Sequence, residues 1–232
     1  MQISVVIPCY NESTVINQTL DRIATFFANQ NLDYEIIVVD DGSTDQTLKI
    51  LINRAEIKLL TNNHNKGKGY TVKIGCQAAS GEIILFTDAD LSTPIEEFNK
   101  LKKYLNEFDI VIGSRALPDS NVVIKQPWYK RNLGILGNKL IQLILGLGIK
   151  DTQCGFKIFK RDVLDIFNQQ TIDRWGFDFE LLYLAEKKGY KIKEVGVRWL
   201  NDPDTKVKAK DYFKTLVEVL KVRINDRQGK YS

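Results

Sequence analysis

A chain of 232 residues with 44% hydrophobic residues is long enough to bury a full α/β core, and this composition excludes a disordered protein. The net charge of +4 is too small to call for nucleic acid, but it is unevenly spread: from Lys187 onward 13 Lys/Arg stand against 6 Asp/Glu, so this segment carries +7 and the rest −3. Cys9, Cys76 and Cys154 form an odd, widely spaced set with no Cys-x-x-Cys pair, which excludes a disulfide framework or zinc site and points to a reducing compartment.

Residues 3–7 read as the first strand, so close to the first residue that no signal peptide is expected. Further strands are predicted at 35–39, 58–61, 82–87 and 109–113, with helical patterns between them at 14–29, 44–53, 69–79 and 94–105. This alternation with apolar strands predicts a parallel sheet covered by helices on both faces. In the second half, 129–147 reads as a helix, 156–159 as a strand, 177–188 as a helix, 192–199 as a strand and 210–225 as a closing helix. No repeat or Pro/Gly/Ser linker divides the chain, so one domain spanning 1–232 is expected. No apolar run reaches the roughly 18 to 20 residues of a membrane span. The nearest, 133–149, is interrupted by Asn138, Lys139 and Gln142.

In such sheets ligands bind beyond the carboxyl ends of the strands. Asp88-Ala89-Asp90 stands there after the apolar run Ile83-Ile84-Leu85-Phe86. Two carboxylates at i and i+2 suit a hard divalent cation shared with a diphosphate, although acidic pairs at strand ends are also common on surfaces. Asp40-Asp41-Gly42-Ser43-Thr44-Asp45 follows another apolar strand. Gly42 suits a turn and Ser43 or Thr44 a helix cap, while two adjacent carboxylates call for an external donor such as the imide of uracil or the donors of guanine. Asn65-Lys66-Gly67-Lys68-Gly69 precedes a helix, where glycines allow a backbone to approach phosphate. It lacks the Walker pattern. His64, the one histidine, has no catalytic grouping around it and reads as an ordinary loop residue.

These motifs, in this order with Val5-Val6-Ile7-Pro8-Cys9-Tyr10-Asn11-Glu12, resemble the nucleotide-binding half of family-two glycosyltransferases. Asp151-Thr152-Gln153-Cys154-Gly155-Phe156-Lys157 and Arg174-Trp175-Gly176-Phe177-Asp178-Phe179-Glu180 are similar to dolichyl-phosphate β-glucosyltransferases, more than to dolichyl-phosphate mannose synthases. The resemblance covers residues 3 to about 220. It implies a GT-A fold: a Rossmann-like nucleotide-binding sheet in residues 1–115, and an acceptor-side extension of the same domain in 116–232.

By the same resemblance, Pro8, Tyr10, Glu12, Val39 and Asp41 line the nucleoside pocket, with Asp40 beside it and Lys68 among the donor-binding residues. Asp88 and Ala89 touch the nucleotide, and Asp90, with Asp88, holds Mg²⁺ or Mn²⁺. Arg115 and Lys206 meet phosphate oxygens, and Arg131 lies near the acceptor phosphate. UDP-glucose is the favoured donor, with GDP-mannose the other candidate, and a polyprenyl phosphate is the acceptor. Two departures stand out. The mannose synthases have an Arg six residues before the lysine, where this chain has Leu200. The eukaryotic glucosyltransferases also carry an N-terminal membrane anchor that this sequence does not show.

A phosphate acceptor is already an anion and needs little general-base help, so catalysis rests on alignment and charge. Asp178 or Glu180 would act as base only toward a hydroxyl acceptor. The helix at 129–147 carries nine apolar or aromatic residues near it, from Trp128 to Ile144, interspersed with Lys130, Arg131 and Lys139. That pattern fits a membrane interface as well as core packing. With the basic C-terminal segment it predicts peripheral contact on the cytoplasmic face of a membrane. Competing readings are a hydroxyl-acceptor transferase, a non-catalytic nucleotide-sugar sensor, and a nucleotidyltransferase, the last disfavoured because no glycine-rich, Arg-Lys-containing loop follows the first strand.

Overall fold

A computed structural model of the chain describes residues 2–123, 128–200 and 209–231. β1 (Ile3–Cys9), β2 (Tyr34–Asp40), β3 (Ile57–Thr61) and β4 (Ile83–Thr87) are parallel, in the order β3-β2-β1-β4. The sheet continues through β7 (Phe156–Lys160), β5 (Ile110–Ser114) and β8 (Ile192–Gly196). β5 and β8 pair in parallel, but β7 runs antiparallel between β4 and β5. The five strands of the first half are thus mutually parallel, as their alternation predicts, and the antiparallel strand comes from the second half. Strand direction depends on where the chain returns after a long excursion, and a five-residue apolar run does not record that.

Helices cover both faces, so the inner strands β1, β2, β4 and β5 are mostly buried on both sides and read as largely apolar runs, while the edge strands β3 and β8 are only partly covered. Val6, Ile37, Val39, Ile84 and Phe86 face α3 (Lys68–Gln77), α5 (Trp128–Leu145), α6 (Ile166–Gln169), α7 (Phe177–Lys187) and α8 (Ala209–Arg227). Val5, Ile7, Ile36, Val38 and Leu85 face α1 (Ile16–Asn29), α2 (Thr47–Ile52) and α4 (Phe98–Lys102). α1 shows how its sequence sets its length. Ile16, Leu20, Ile23 and Phe27 recur at helical spacing and are fully buried. Asn31 then turns left-handed at φ 52°, with Asn31 N–H donating to Ala28 O and Leu32 N–H to Phe27 O, which caps the last carbonyls.

Two local expectations change and one short helix goes unpredicted. The 94–105 helix is a single 3₁₀ turn, Ile95–Glu97, followed by the short α4. The 192–199 strand breaks at Val197, and β9 (Arg198–Trp199) leaves the sheet to pair with β6 (Asn121–Val122). α6 is too short to leave a periodic signal.

α5 is both a core helix and a surface one. Ile141 and Leu145 are buried, while Ile135, Leu136 and Leu143 are exposed, Leu143 to 81%. α8 repeats the division, with Val219 and Val222 buried and Val217, Leu220 and Ile224 exposed. Among the described residues no helix is long and apolar enough to cross a membrane.

Candidate active site

The loops that leave β1 and β2 brace one another. Asn11 adopts a positive φ of 55°, tolerable for Asn, and its Oδ1 accepts Thr44 N–H at 2.8 Å. Asn11 N–H donates to Ser43 Oγ at 2.9 Å and Glu12 N–H to Thr47 Oγ1 at 2.8 Å. Gly42 sits at φ 71°, and a Cβ there would lie 2.7 Å from His64 Cα. His64 thus contributes backbone packing to the turn.

The two carboxylates after β2 differ in environment. Asp41 Oδ1 accepts Asn62 Nδ2 at 2.8 Å and Lys66 N–H at 2.9 Å, and Oδ2 accepts Gly67 N–H at 2.8 Å. All three donors belong to the protein, so Asp41 holds the 62–67 loop instead of awaiting a base. Asp40 is fully buried, and its Oδ2 accepts Ser43 N–H at 3.1 Å. Its Oδ1 has no hydrogen-bond partner among the described residues. A buried anionic oxygen left so is costly unless a ligand donor reaches it. Tyr10 is exposed, Pro8 and Glu12 are half-buried. Val39 is core, with its side chain in the cluster beneath α3. Ala89 likewise faces the α1 side of the core, where its carbonyl accepts Thr19 Oγ1 at 2.6 Å.

The glycines of the 65–69 loop face protein rather than an open phosphate cradle. A Cβ on Gly67, at φ 116°, would lie 2.3 Å from Asp173 O, and one on Gly69 2.6 Å from Ile172 O. The 171–176 segment is clamped there by Tyr70 N–H donating to Asp173 O at 3.1 Å and Arg174 Nη1 to Asn65 Oδ1 at 2.8 Å.

Asp88 and Asp90 stand at the end of β4. Leu91 follows at a positive φ of 48°, an uncommon conformation for a side chain of this size. Ser92 donates both its N–H and its Oγ to Asp90, each at 2.8 Å. Partial burial, then the neighbouring Asp88 charge, push the Asp90 carboxyl above its usual range, although the residue keeps an exposed edge. Lys68 Nζ pairs with Asp88 Oδ1 at 2.6 Å. Gly155, at the head of β7, abuts the same carboxylate: a Cβ there would sit 1.9 Å from Asp88 Oδ2.

Hard oxygens that crowd each other and already attract a cation fit a divalent ion completed by phosphate oxygens. Among the described residues no group of three or more His, Cys, Asp or Glu could hold an ion by itself.

A further layer of paired charges lies around the acidic pair. Arg115 donates Nε at 2.7 Å and Nη2 at 2.8 Å to Asp151, which also takes Arg115 N–H at 2.8 Å. Burial alone would raise Asp151, but the Arg115 charge overrides it and holds the carboxyl below its usual range. Lys157, 1% exposed, is paired with Asp178 and donates to Cys154 O at 2.6 Å. Burial pushes the Asp178 carboxyl up, against the pull of Lys157 and Lys68. Asp178 is therefore a buried partner of a lysine and not a base open to substrate.

Glu180 is fully buried and accepts Thr171 N–H and Oγ1, Ile172 N–H and Tyr231 Oη. It anchors the 171–176 segment. Lys206 and the side chain of Arg131 lie outside the described residues. Sequence reasoning missed Gly155, Lys157 and Asp151 as builders of the site. Each stands inside the motif that carried the resemblance, but a buried lysine and a contact glycine have no pattern of their own.

A Rossmann-like sheet with an acidic pair, a buried unpartnered carboxylate oxygen and clustered cations at its carboxyl end defines a nucleotide-sugar-dependent glycosyltransferase of the GT-A type. The family model for glycosyl transferase family 2 matches residues 4–167, and the chain belongs to that family. It is 38% identical over 240 residues to a dolichyl-phosphate beta-glucosyltransferase of Trichomonas vaginalis, covering 97% of this chain and 71% of that one. A dolichyl-phosphate beta-glucosyltransferase of Dictyostelium discoideum is 37% identical over 246 residues, covering 97% and 74%. In fold it is similar to Mycobacterium tuberculosis glucosyl-3-phosphoglycerate synthase, solved with Mn²⁺, uridine diphosphate and glucosyl-3-phosphoglycerate: TM-score 0.69, 19% identity, covering 98% and 80%.

Proposed function

We propose that the protein transfers glucose from UDP-glucose to a polyprenyl phosphate such as dolichyl phosphate, with inversion at the anomeric carbon, on the cytoplasmic face of a membrane. The observation that carries the phosphate acceptor is the state of Asp178 and Glu180. Both carboxylates that could activate a hydroxyl are engaged inside the protein. The names of the relatives agree with this acceptor and with glucose.

In this reading Asp40 Oδ1 accepts the imide N–H of uracil, between Pro8, Tyr10 and Glu12, while Asp41 sets the loop that carries Lys68. Asp88 and Asp90 would hold Mg²⁺ or Mn²⁺, and the ion would supply charge neutralisation for the departing diphosphate. Arg115, fixed by Asp151, and Lys206 and Arg131 face phosphate oxygens. An acceptor phosphate oxygen forms the bond to C1 as the bond from C1 to the UDP oxygen breaks, and the chain's part is alignment and fixed positive charge. Residues 1–115 and 116–232 act as one domain in this account, supported by the insertion of β7 between β4 and β5. Peripheral membrane contact is supported by the exposed apolar residues of α5 and α8 beside a segment of charge +7.

The test is incubation of purified protein and dolichyl phosphate with separately radiolabelled UDP-glucose, GDP-mannose and other nucleotide-sugars. The expected result is lipid-extractable label from UDP-glucose alone, dependent on Mg²⁺ or Mn²⁺. Label from GDP-mannose, or transfer only to a glycan hydroxyl, contradicts the reading.

A further inference from the structure

Lys68 opens α3 and is held from several sides. Its Nζ is 2.6 Å from Asp88 Oδ1 and 5.5 Å from the ring centroids of both Phe86 and Trp175. Its side chain is 21% exposed. The negative charges that face it are Asp88, Asp178 and Asp90. Asp178 is committed to Lys157 and Arg115 to Asp151, so among the described residues Lys68 is the cation in direct ion-pair contact with the acidic pair.

We propose that Lys68 is the resident counter-cation of the Asp88–Asp90 pair, so that a divalent ion and a nucleoside diphosphate load together. This rests on the reading of Asp88 and Asp90 as the metal ligands. With Nζ on Asp88, a divalent ion arriving alone meets an oxygen already in use and a positive charge within a few ångströms. Two carboxylates with one ammonium and one divalent ion leave an excess positive charge near the Phe86 and Trp175 rings. A diphosphate cancels that excess. It also gives Nζ new oxygens to move to, which frees Asp88 Oδ1 for the ion. Each ligand then raises the affinity of the other by the same factor.

The measurement is Mn²⁺ binding, followed by the electron-paramagnetic signal of the free ion, with and without UDP. For wild type, UDP is expected to tighten Mn²⁺ binding by about tenfold or more, within the usual range of coupling. Lys68→Met is expected to bind Mn²⁺ alone about tenfold tighter than wild type, and to lose most of the UDP effect. Lys68→Arg keeps the charge and should resemble wild type. Weaker UDP binding by Lys68→Met would follow from any phosphate contact, so the arm with Mn²⁺ alone decides.

Wild type that binds Mn²⁺ equally well with and without UDP overturns the proposal, whether or not the variants fold. So does a folded Lys68→Met that binds Mn²⁺ alone as weakly as wild type. Asp90→Asn separates the two readings: if it leaves Mn²⁺ binding with UDP unchanged, the assignment of the metal ligands fails, and with it the role of Lys68.

Discussion

Asp88 owes its position to an atom that Gly155 lacks. A methyl group at 155 would overlap the Asp88 carboxylate at 1.9 Å, and both residues sit at strand ends that pair across β4 and β7. Gly155→Ala must therefore displace Asp88, and turnover should fall at least about a hundredfold, as when other groups that stabilise developing charge are removed. Gly134→Ala is the control, because a Cβ there meets nothing within 4 Å. Wild-type turnover in Gly155→Ala would show that Asp88 is not held from this side. Asp45 gives a pH-dependent counterpart. Burial raises its carboxyl, but hydrogen bonds from Thr47 and Ser13 outweigh that and bring it down from 3.8 to about 2. A depressed carboxylate stabilises the folded state above its unfolded value, and the contribution is lost as pH falls from 3.8 toward 2. The stability gap between wild type and Asp45→Ala in urea should thus be full at neutral pH and shrink across that window. A gap that does not change there would contradict the assignment.

At the scale of elements, α5 and α8 each carry two apolar faces, and the sheet can cover only one. Ile135, Leu136 and Leu143 on α5, and Val217, Leu220 and Ile224 on α8, remain at the surface. Because the core is built from Ile141, Leu145, Val219 and Val222, the exposed set can be changed without opening it. Replacing Leu136, Leu143, Leu220 and Ile224 by Ser should leave the melting temperature within a few degrees of wild type while reducing flotation with anionic liposomes. Salt should weaken wild-type flotation only in part, since attraction of about 1 kcal/mol per nearby Lys or Arg is screened and apolar insertion is not. Unfolding of this variant would make the residues core. Undiminished flotation would remove them from the membrane contact.

For the whole molecule, legibility followed the range of the interaction. The parallel half was readable because Ile36 to Val39 and Ile83 to Phe86 are apolar on both faces and Ile3 to Ile7 is interrupted only by Ser4, and the loops after them were readable because ligands gather there. The antiparallel return of β7 was not, since it depends on contacts between distant segments. The same limit applied inside the site. Asp40 and Asp41 look alike in sequence, yet one spends its oxygens on Asn62, Lys66 and Gly67 and the other keeps one unused. Nothing local in the sequence marks Lys157 and Glu180 as buried, yet both are, because partners more than 20 residues away, Asp178 and Tyr231, neutralise or satisfy them. What those burials leave, among the described residues, is a site whose cations are held by carboxylates and in which neither Asp178 nor Glu180 is free to act as a base, which suits a phosphate acceptor. The most direct test is the structure of the lipid product made from UDP-glucose and dolichyl phosphate, by mass spectrometry and proton NMR of the anomeric centre. Glucose joined through phosphate in the β configuration is the expected product; an α linkage, or glucose on a hydroxyl with the prenyl phosphate unchanged, would overturn the phosphate-acceptor mechanism.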